Sequence, residues 1–210
     1  MKRADAGETV VFVDDDPSIR EALLALMESI GMPALAYGSV QAFLDAPPID
    51  TPHCLVLDVR LPGRSGLDLQ AELARKDLAP PIIFLTGHAD VPMTVRAMKA
   101  GAIEFLVKPF RDQDLIDAIH EGIERDRQQR SEHGALHSLR ERYESLTPRA
   151  REVMQHVVQG LLNKQIAGIM DVSEITVKVH RGQVMRKMGA RSVADLVRMA
   201  DQLGIGPTQG

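Results

Sequence analysis

Four short apolar runs, each closed by a charged or hydroxyl group, constrain this chain more than any other feature of its sequence. Val10-Val11-Phe12-Val13 stops at Asp14, Cys54-Leu55-Val56-Leu57 at Asp58, Ile82-Ile83-Phe84-Leu85 at Thr86, and the run 103–107 at Lys108. Runs of this length without polar alternation suit strands buried on both faces. Between them apolar residues recur at helical spacing, as Ile19, Leu23, Leu26, Met27 and Ile30 do after the first run. A weaker strand is expected at 34–37 and a short helix over 40–46, with further helices over 67–73, over 94–99 and from about 112. Five strands alternating with five helices predict an α/β, doubly wound, five-stranded parallel sheet covered on both sides. Such sheets bind ligands outside the carboxyl ends of their strands, where the strand order reverses.

Asp14, Asp15 and Asp16 follow the first run, so four strand ends would bring carboxylates, a hydroxyl and an ammonium to one edge. Carboxylates held that close repel one another unless a cation sits among them. Oxygen donors without His or Cys favour Mg²⁺, which takes few protein ligands. With Lys108-Pro109-Phe110, the constellation resembles the receiver domain of two-component response regulators over residues 8–125. That resemblance implies that Asp58 accepts a phosphoryl group from a sensor histidine kinase in a Mg²⁺-dependent reaction. It implies Asp15 as a direct metal ligand, Asp14 as one acting mainly through water, and the backbone carbonyl of Arg60 as a further ligand. It also makes Thr86 and Phe105 a switch pair and Lys108 the group that stabilises phosphoryl oxygens, with a cis peptide at Lys108-Pro109. His88 is expected to border this site or to be an ordinary loop residue.

Net charge separates the two parts of the chain. Residues 1–125 hold 20 acids and 12 Lys or Arg, whereas residues 126–210 hold 9 and 13, so −8 is followed by +4. An acidic part followed by a basic one suggests partners of opposite charge preference, with the basic part the nucleic-acid candidate. No apolar run reaches the ~18 residues of a membrane span, and the start does not read as a signal peptide. The lone Cys54 lies in an apolar run and is expected to be a buried hydrophobe in a reducing cytosol. His133 and His137 are four apart but lack the neighbouring acids or cysteines of a metal site.

Residues 126–145 are polar and are expected to form a helical linker interrupted near Gly134, with no heptads for a long coiled coil. Beyond it, residues 146–210 read as an all-α domain of four helices. Thr147-Pro148 opens the first, residues 163–170 form the second, and Ser173 caps a third carrying Ile175, Val179, Val184 and Met188. Gly189 ends that helix and Ser192 caps the fourth. Two short helices around the turn Asp171-Val172-Ser173, the second bearing Lys178, His180, Arg181, Arg186 and Lys187, form a helix-turn-helix pattern.

The stretches Asn163-Lys164-Gln165-Ile166-Ala167, Ser173-Glu174-Ile175-Thr176-Val177-Lys178-Val179-His180 and Met185-Arg186-Lys187-Met188-Gly189-Ala190-Arg191-Ser192 resemble the LuxR-type DNA-binding domain. Joined to a flavodoxin- or CheY-like receiver, they place the chain nearest the NarL/FixJ class, on its FixJ-like branch. Groove chemistry makes Lys178 and Val179 candidates for base contacts, and Lys164, Thr176, Arg181 and Lys187 candidates for phosphate contacts. Two positions depart from the family: Ala150 removes the capping-box partner of Thr147, and Gly182 stands where relatives can carry a base-contacting cation.

The resemblance implies a cytoplasmic transcription factor rather than an enzyme acting on other molecules, its receiver catalysing only its own phosphorylation and dephosphorylation. Its implied partners are the kinase, a double-stranded DNA promoter, a second copy on phosphorylation and RNA polymerase, with no membrane. Two alternatives remain open at this point. One is an Mg²⁺-dependent phosphatase with Asp58 as nucleophile; the other is a phosphotransfer protein whose second domain binds no DNA.

Overall fold

The computed structural model describes residues 8–47, 52–75, 79–87 and 90–206; His88 falls outside them. The chain divides into two compact units between Arg130 and Ser131. In the first, β1 (Val10–Val13), α1 (Pro17–Ser29), β2 (Ala34–Tyr37), α2 (Val40–Leu44) and β3 (Cys54–Asp58) come in order. They are followed by α3 (Gly66–Leu73), β4 (Ile82–Thr86), α4 (Val91–Lys99), β5 (Glu104–Val107) and α5 (Asp112–Glu144). All strands are parallel, in the order β2-β1-β3-β4-β5. This is the doubly wound sheet expected from the alternation of runs and helices.

Period-two alternation explains why the runs of β1, β3 and β4 are apolar up to their last residue. Val10 and Phe12 face one core with Leu23, Met27, Leu115 and Ile119; Val11 and Val13 face a second with Val40, Leu57, Leu69 and Phe84. Each residue of the three central strands β1, β3 and β4 is therefore buried on whichever side it points to, while the edge strands β2 and β5 stay partly exposed. Each fully buried Val, Leu or Phe contributes ~1.5–3 kcal/mol. Cys54 belongs to the first core, and a Cβ on Gly122 of α5 would stand 2.9 Å from its sulfur. Burial and the nearby Asp126 carboxylate, opposed by a backbone hydrogen bond at Leu55, push the Cys54 thiol up to about 12, so it packs as a neutral group.

Polar caps mark the helix starts. The Asp16 side chain accepts from the Ser18 N–H at 2.8 Å ahead of Pro17, so the third acid of the Asp14–Asp16 group serves α1 as its N-cap. Ser65 and Asp68 form a reciprocal capping box at α3.

α5 remains helical through Gly134, where the sequence suggested a break. A glycine inside a helix costs only about 1 kcal/mol relative to alanine. One turn earlier the nearly buried Asp126 accepts from Arg130 at 2.5 Å and supports the helix. Residues of the expected linker up to Arg130 belong to the first unit, while Leu139 and Tyr143 pack in the core of the second.

That second unit adds α6 (Pro148–Val158), α7 (Asn163–Met170), α8 (Glu174–Met188) and α9 (Val193–Gln202). Val153, Met154, Ile166, Val177, Val184, Met188 and Leu196 form its core. Thr147 caps α6 by accepting from the Ala150 N–H at 3.3 Å, without the reciprocal bond that an acid at position 150 would supply. Asp171, at φ 51, turns the chain between α7 and α8, and Ser173 caps α8. Gly189, at φ 72, ends α8; a Cβ there would stand 3.1 Å from the Arg142 guanidinium, which donates to the Met188 carbonyl. Among the described residues no helix is long and apolar enough to cross a membrane.

Candidate functional site

Strand register assembles the acidic pocket. Val13 lies opposite Leu57, which sets Asp14 level with Asp58 at the ends of β1 and β3. Asp58 lies opposite Leu85, and Thr86 opposite Val107, so Thr86 and Lys108 come next along the same edge. In this strand order the sheet reverses direction between β1 and β3, the place where open α/β sheets bind ligands.

Asp14 is 2% exposed, Asp58 8% and Thr86 0%, whereas Asp15 is open to solvent. Carboxylate oxygens of Asp14, Asp15 and Asp58 lie within 4.8 Å of one another. The Lys108 ammonium donates to Asp14 Oδ2 at 2.5 Å and to Asp58 Oδ2 at 2.7 Å. Burial alone would lower the Lys108 pKa, but its hydrogen bonds to Asp14 and Asp58 outweigh that and hold it above the ordinary lysine value. Three carboxylates and one ammonium leave the pocket with two net negative charges, the complement of a divalent cation. The donors are hard oxygens without sulfur or imidazole, so the residues fit Mg²⁺.

The loops hold the acids from behind. The Arg60 N–H donates to Asp58 Oδ1 at 2.8 Å, which orients the carboxylate. The Lys108 N–H donates to the Thr86 carbonyl at 2.7 Å, and the Lys108-Pro109 peptide is cis. Gly66 lies so close that a Cβ would stand 2.4 Å from the Asp58 carbonyl oxygen, so only glycine fits there. Phe105 is half-buried, opposite Phe84 in the β4–β5 register, with ring centroids 6.1 Å apart. Arg20, which sequence reasoning passed over, donates to the Asp14 carbonyl at 2.7 Å and rests against Gly38. Its only sequence signal is its place one turn into the helix that follows the acids.

In the second unit the faces of α8 are sharply divided. Val177, Val184 and Met188 are buried, whereas Ile175, Lys178, Val179, Gly182 and Arg186 are exposed. At 100° per residue these five cluster opposite the core. Ile175 and Val179, expected from spacing to share the apolar pattern of Val184 and Met188, instead point outward. Lys164 is exposed on α7. Arg181 is half-buried and donates to Asn163 Oδ1 at 2.8 Å, tying α8 to α7. Lys187 Nζ donates to the Ser145 carbonyl at 2.5 Å, and the Thr176 N–H donates to the capping Ser173 Oγ at 3.1 Å. Of the six candidates, Lys178, Val179 and Lys164 are thus free of such structural bonds, while Arg181, Lys187 and Thr176 also hold the fold together.

An acidic pocket at the switch of a doubly wound sheet, followed by a helix-turn-helix unit, defines a class of two-unit regulators. Residues 10–120 match the response regulator receiver domain, and residues 144–200 match the bacterial regulatory proteins of the luxR family. The chain belongs to the two-component response regulators with a LuxR-type DNA-binding domain, and its relatives include FixJ. Nodulation protein W of Bradyrhizobium diazoefficiens is 53% identical, over 94% of this chain and 88% of that protein. The transcriptional regulatory protein FixJ of Azorhizobium caulinodans is 43% identical, over 93% and 92%. Among solved structures, the response regulator StyR is 46% identical with a TM-score of 0.83, covering 94% of this chain and 100% of that one. Full-length FixJ from B. japonicum is 38% identical with a TM-score of 0.56, covering 97% and 100%.

Proposed function

We propose that Asp58 accepts a phosphoryl group from a sensor histidine kinase and that this modification promotes dimerisation and sequence-specific DNA binding. The observation that carries this reading is the Lys108 ammonium shared between Asp14 and Asp58 in a three-carboxylate pocket. Asp14, Asp15, Asp58 and the Arg60 carbonyl would hold Mg²⁺, with Asp14 acting mainly through water; the ion supplies positive charge against the phosphoryl oxygens. The Asp58 carboxylate attacks phosphorus as the phosphohistidine P–N bond breaks, and the proton needed by the leaving imidazole comes from solvent or the kinase. Lys108 then donates to a phosphoryl oxygen in place of the Asp58 oxygen it now binds. Beside it, Ile19, Leu23, Leu26, Pro109 and Phe110 line an apolar cavity of about 280 Å³, a fitting dock for the kinase's phosphodonor domain.

The Thr86 hydroxyl turns to the new phosphoryl group, and the half-buried Phe105 ring moves into the space it leaves, a local bond biasing a two-state element. Exposed Val91, Val95, Met98 and Val107 give α4 and β5 an apolar surface suited to a second copy. Two DNA-binding units then engage paired half-sites with raised effective concentration. Lys178 and Val179 contact bases; Lys164, Thr176, Arg181 and Lys187 contact phosphates. The protein acts in the cytoplasm, on promoters served by RNA polymerase. Footprinting with acetyl-phosphate-treated protein tests this: protection that strengthens on treatment and fails to do so in Asp58→Asn supports it. Phosphorylation without DNA protection overturns it.

A further inference from the structure

We propose that Ile175 is a second apolar base reader, which with Val179 recognises thymine methyl groups in each half-site. This inference rests on the DNA-binding reading above and goes beyond it in naming a residue and the chemical group it meets. Ile175 is 76% exposed and Val179 55%, although both stand on a helix whose other valines, Val177 and Val184, are fully buried. Four residues apart, they lie side by side on the surface of α8. Ile175 is two residues beyond the Ser173 cap, in the first turn, the part of a recognition helix that reaches base edges. Lys178 lies exposed between them in sequence, so this apolar ridge sits beside a cation.

Two features make DNA the occupant rather than an apolar protein surface. Exposed Lys178 and Arg186 share this outer face of α8, Arg186 two turns beyond Val179, and give it positive charge complementary to phosphates. The only apolar group on the floor of the major groove is the C5-methyl of thymine, which distinguishes T·A from every other pair there. Gly182, one turn further on, has no heavy atom near the place of a Cβ and offers the groove no side chain. Base reading is therefore concentrated in Ile175, Lys178 and Val179, and the half-site carries thymines opposite the first and third of these.

The test uses the full chain treated with acetyl phosphate. A preferred half-site is first selected from random duplexes, and each of its thymines is then replaced by deoxyuridine, which removes only the methyl group. Losing one buried methyl weakens binding about fourfold. The expected result is such a loss at one or two positions per half-site. Ile175→Ala abolishes the uridine penalty at one of them and leaves Asp58 phosphorylation unchanged; Val179→Ala abolishes it at the neighbouring one. Uniform affinity for all uridine duplexes overturns the inference, as does an Ile175→Ala protein that keeps the penalty at every thymine where the native chain shows one, and in both cases the regulator reading stands. Failure to select any sequence overturns both readings.

Discussion

In the first unit two acids of the pocket, Asp14 and Asp58, are withdrawn from water, and one lysine answers their charge at hydrogen-bond distance. In the second the outer face of α8 leaves the apolar side chains of Ile175 and Val179 in solvent. The two arrangements suit different partners. A transferred phosphoryl group is small, so its pocket is shaped in advance by strand ends whose positions the hydrogen-bond register sets. A DNA groove is large and supplies its own opposing surface, so the protein needs only a rigid helix with the right side chains projecting. The lesson is that buried polar groups mark the candidate site in the first unit, and exposed apolar ones mark it in the second.

The comparison breaks most directly at Asp58. Asp58→Asn should lose all acetyl-phosphate-dependent retardation on a phosphate-affinity gel while the second unit keeps its fold by circular dichroism. Next in size, Ile166→Ala opens the second core where that side chain is fully buried. It should cost about 2–5 kcal/mol by urea denaturation, with phosphorylation of Asp58 intact. Gly66→Ala drives a Cβ against the Asp58 carbonyl oxygen. It should cost about 1–3 kcal/mol in the first unit and slow phosphorylation, since the clash falls on the backbone of the acceptor itself.

Thr147→Ala removes a cap and should cost about 1 kcal/mol in the second unit alone. The smallest effect concerns pH. The folded pKa of Lys108 is raised, so its contribution is complete below the ~10.4 of a free lysine and is lost as pH rises through the higher folded value. The urea midpoints of the native chain and of Lys108→Gln should accordingly converge at strongly alkaline pH; a constant gap would show that the ammonium contributes nothing to stability.

Much of the first unit was legible because its central strands β1, β3 and β4 are buried on both faces, which leaves an uninterrupted apolar run for each and an abrupt polar stop where the pocket begins. Asp58, Thr86 and Lys108 were each visible as such stops. The role of Asp16 was harder to read, since an acid that caps a helix and one that lines a pocket look alike in a run of three. Arg20 carried no distinctive signal, because its bond is to a backbone carbonyl. At Gly134 the local cost of glycine was legible, but not the support that α5 receives from Asp126 and Arg130. On α8 the apolar spacing suggested one face for Ile175, Val179, Val184 and Met188, while the fold turned the first two away from the core.

Sequence alone determined that this chain would form a doubly wound sheet followed by a four-helix domain, because hydrophobic periodicity and caps are local properties. It also determined which residue types were available for the pocket and for the basic face. Only the tertiary structure decided that Lys108 would bridge Asp14 and Asp58, residues 94 and 50 positions away. It alone decided that Arg181 and Lys187 would brace the second unit, and that Ile175 would stand in solvent. Those outcomes depend on strand register and on the rotation of a helix against its neighbours, and both are set by packing between segments far apart in the chain.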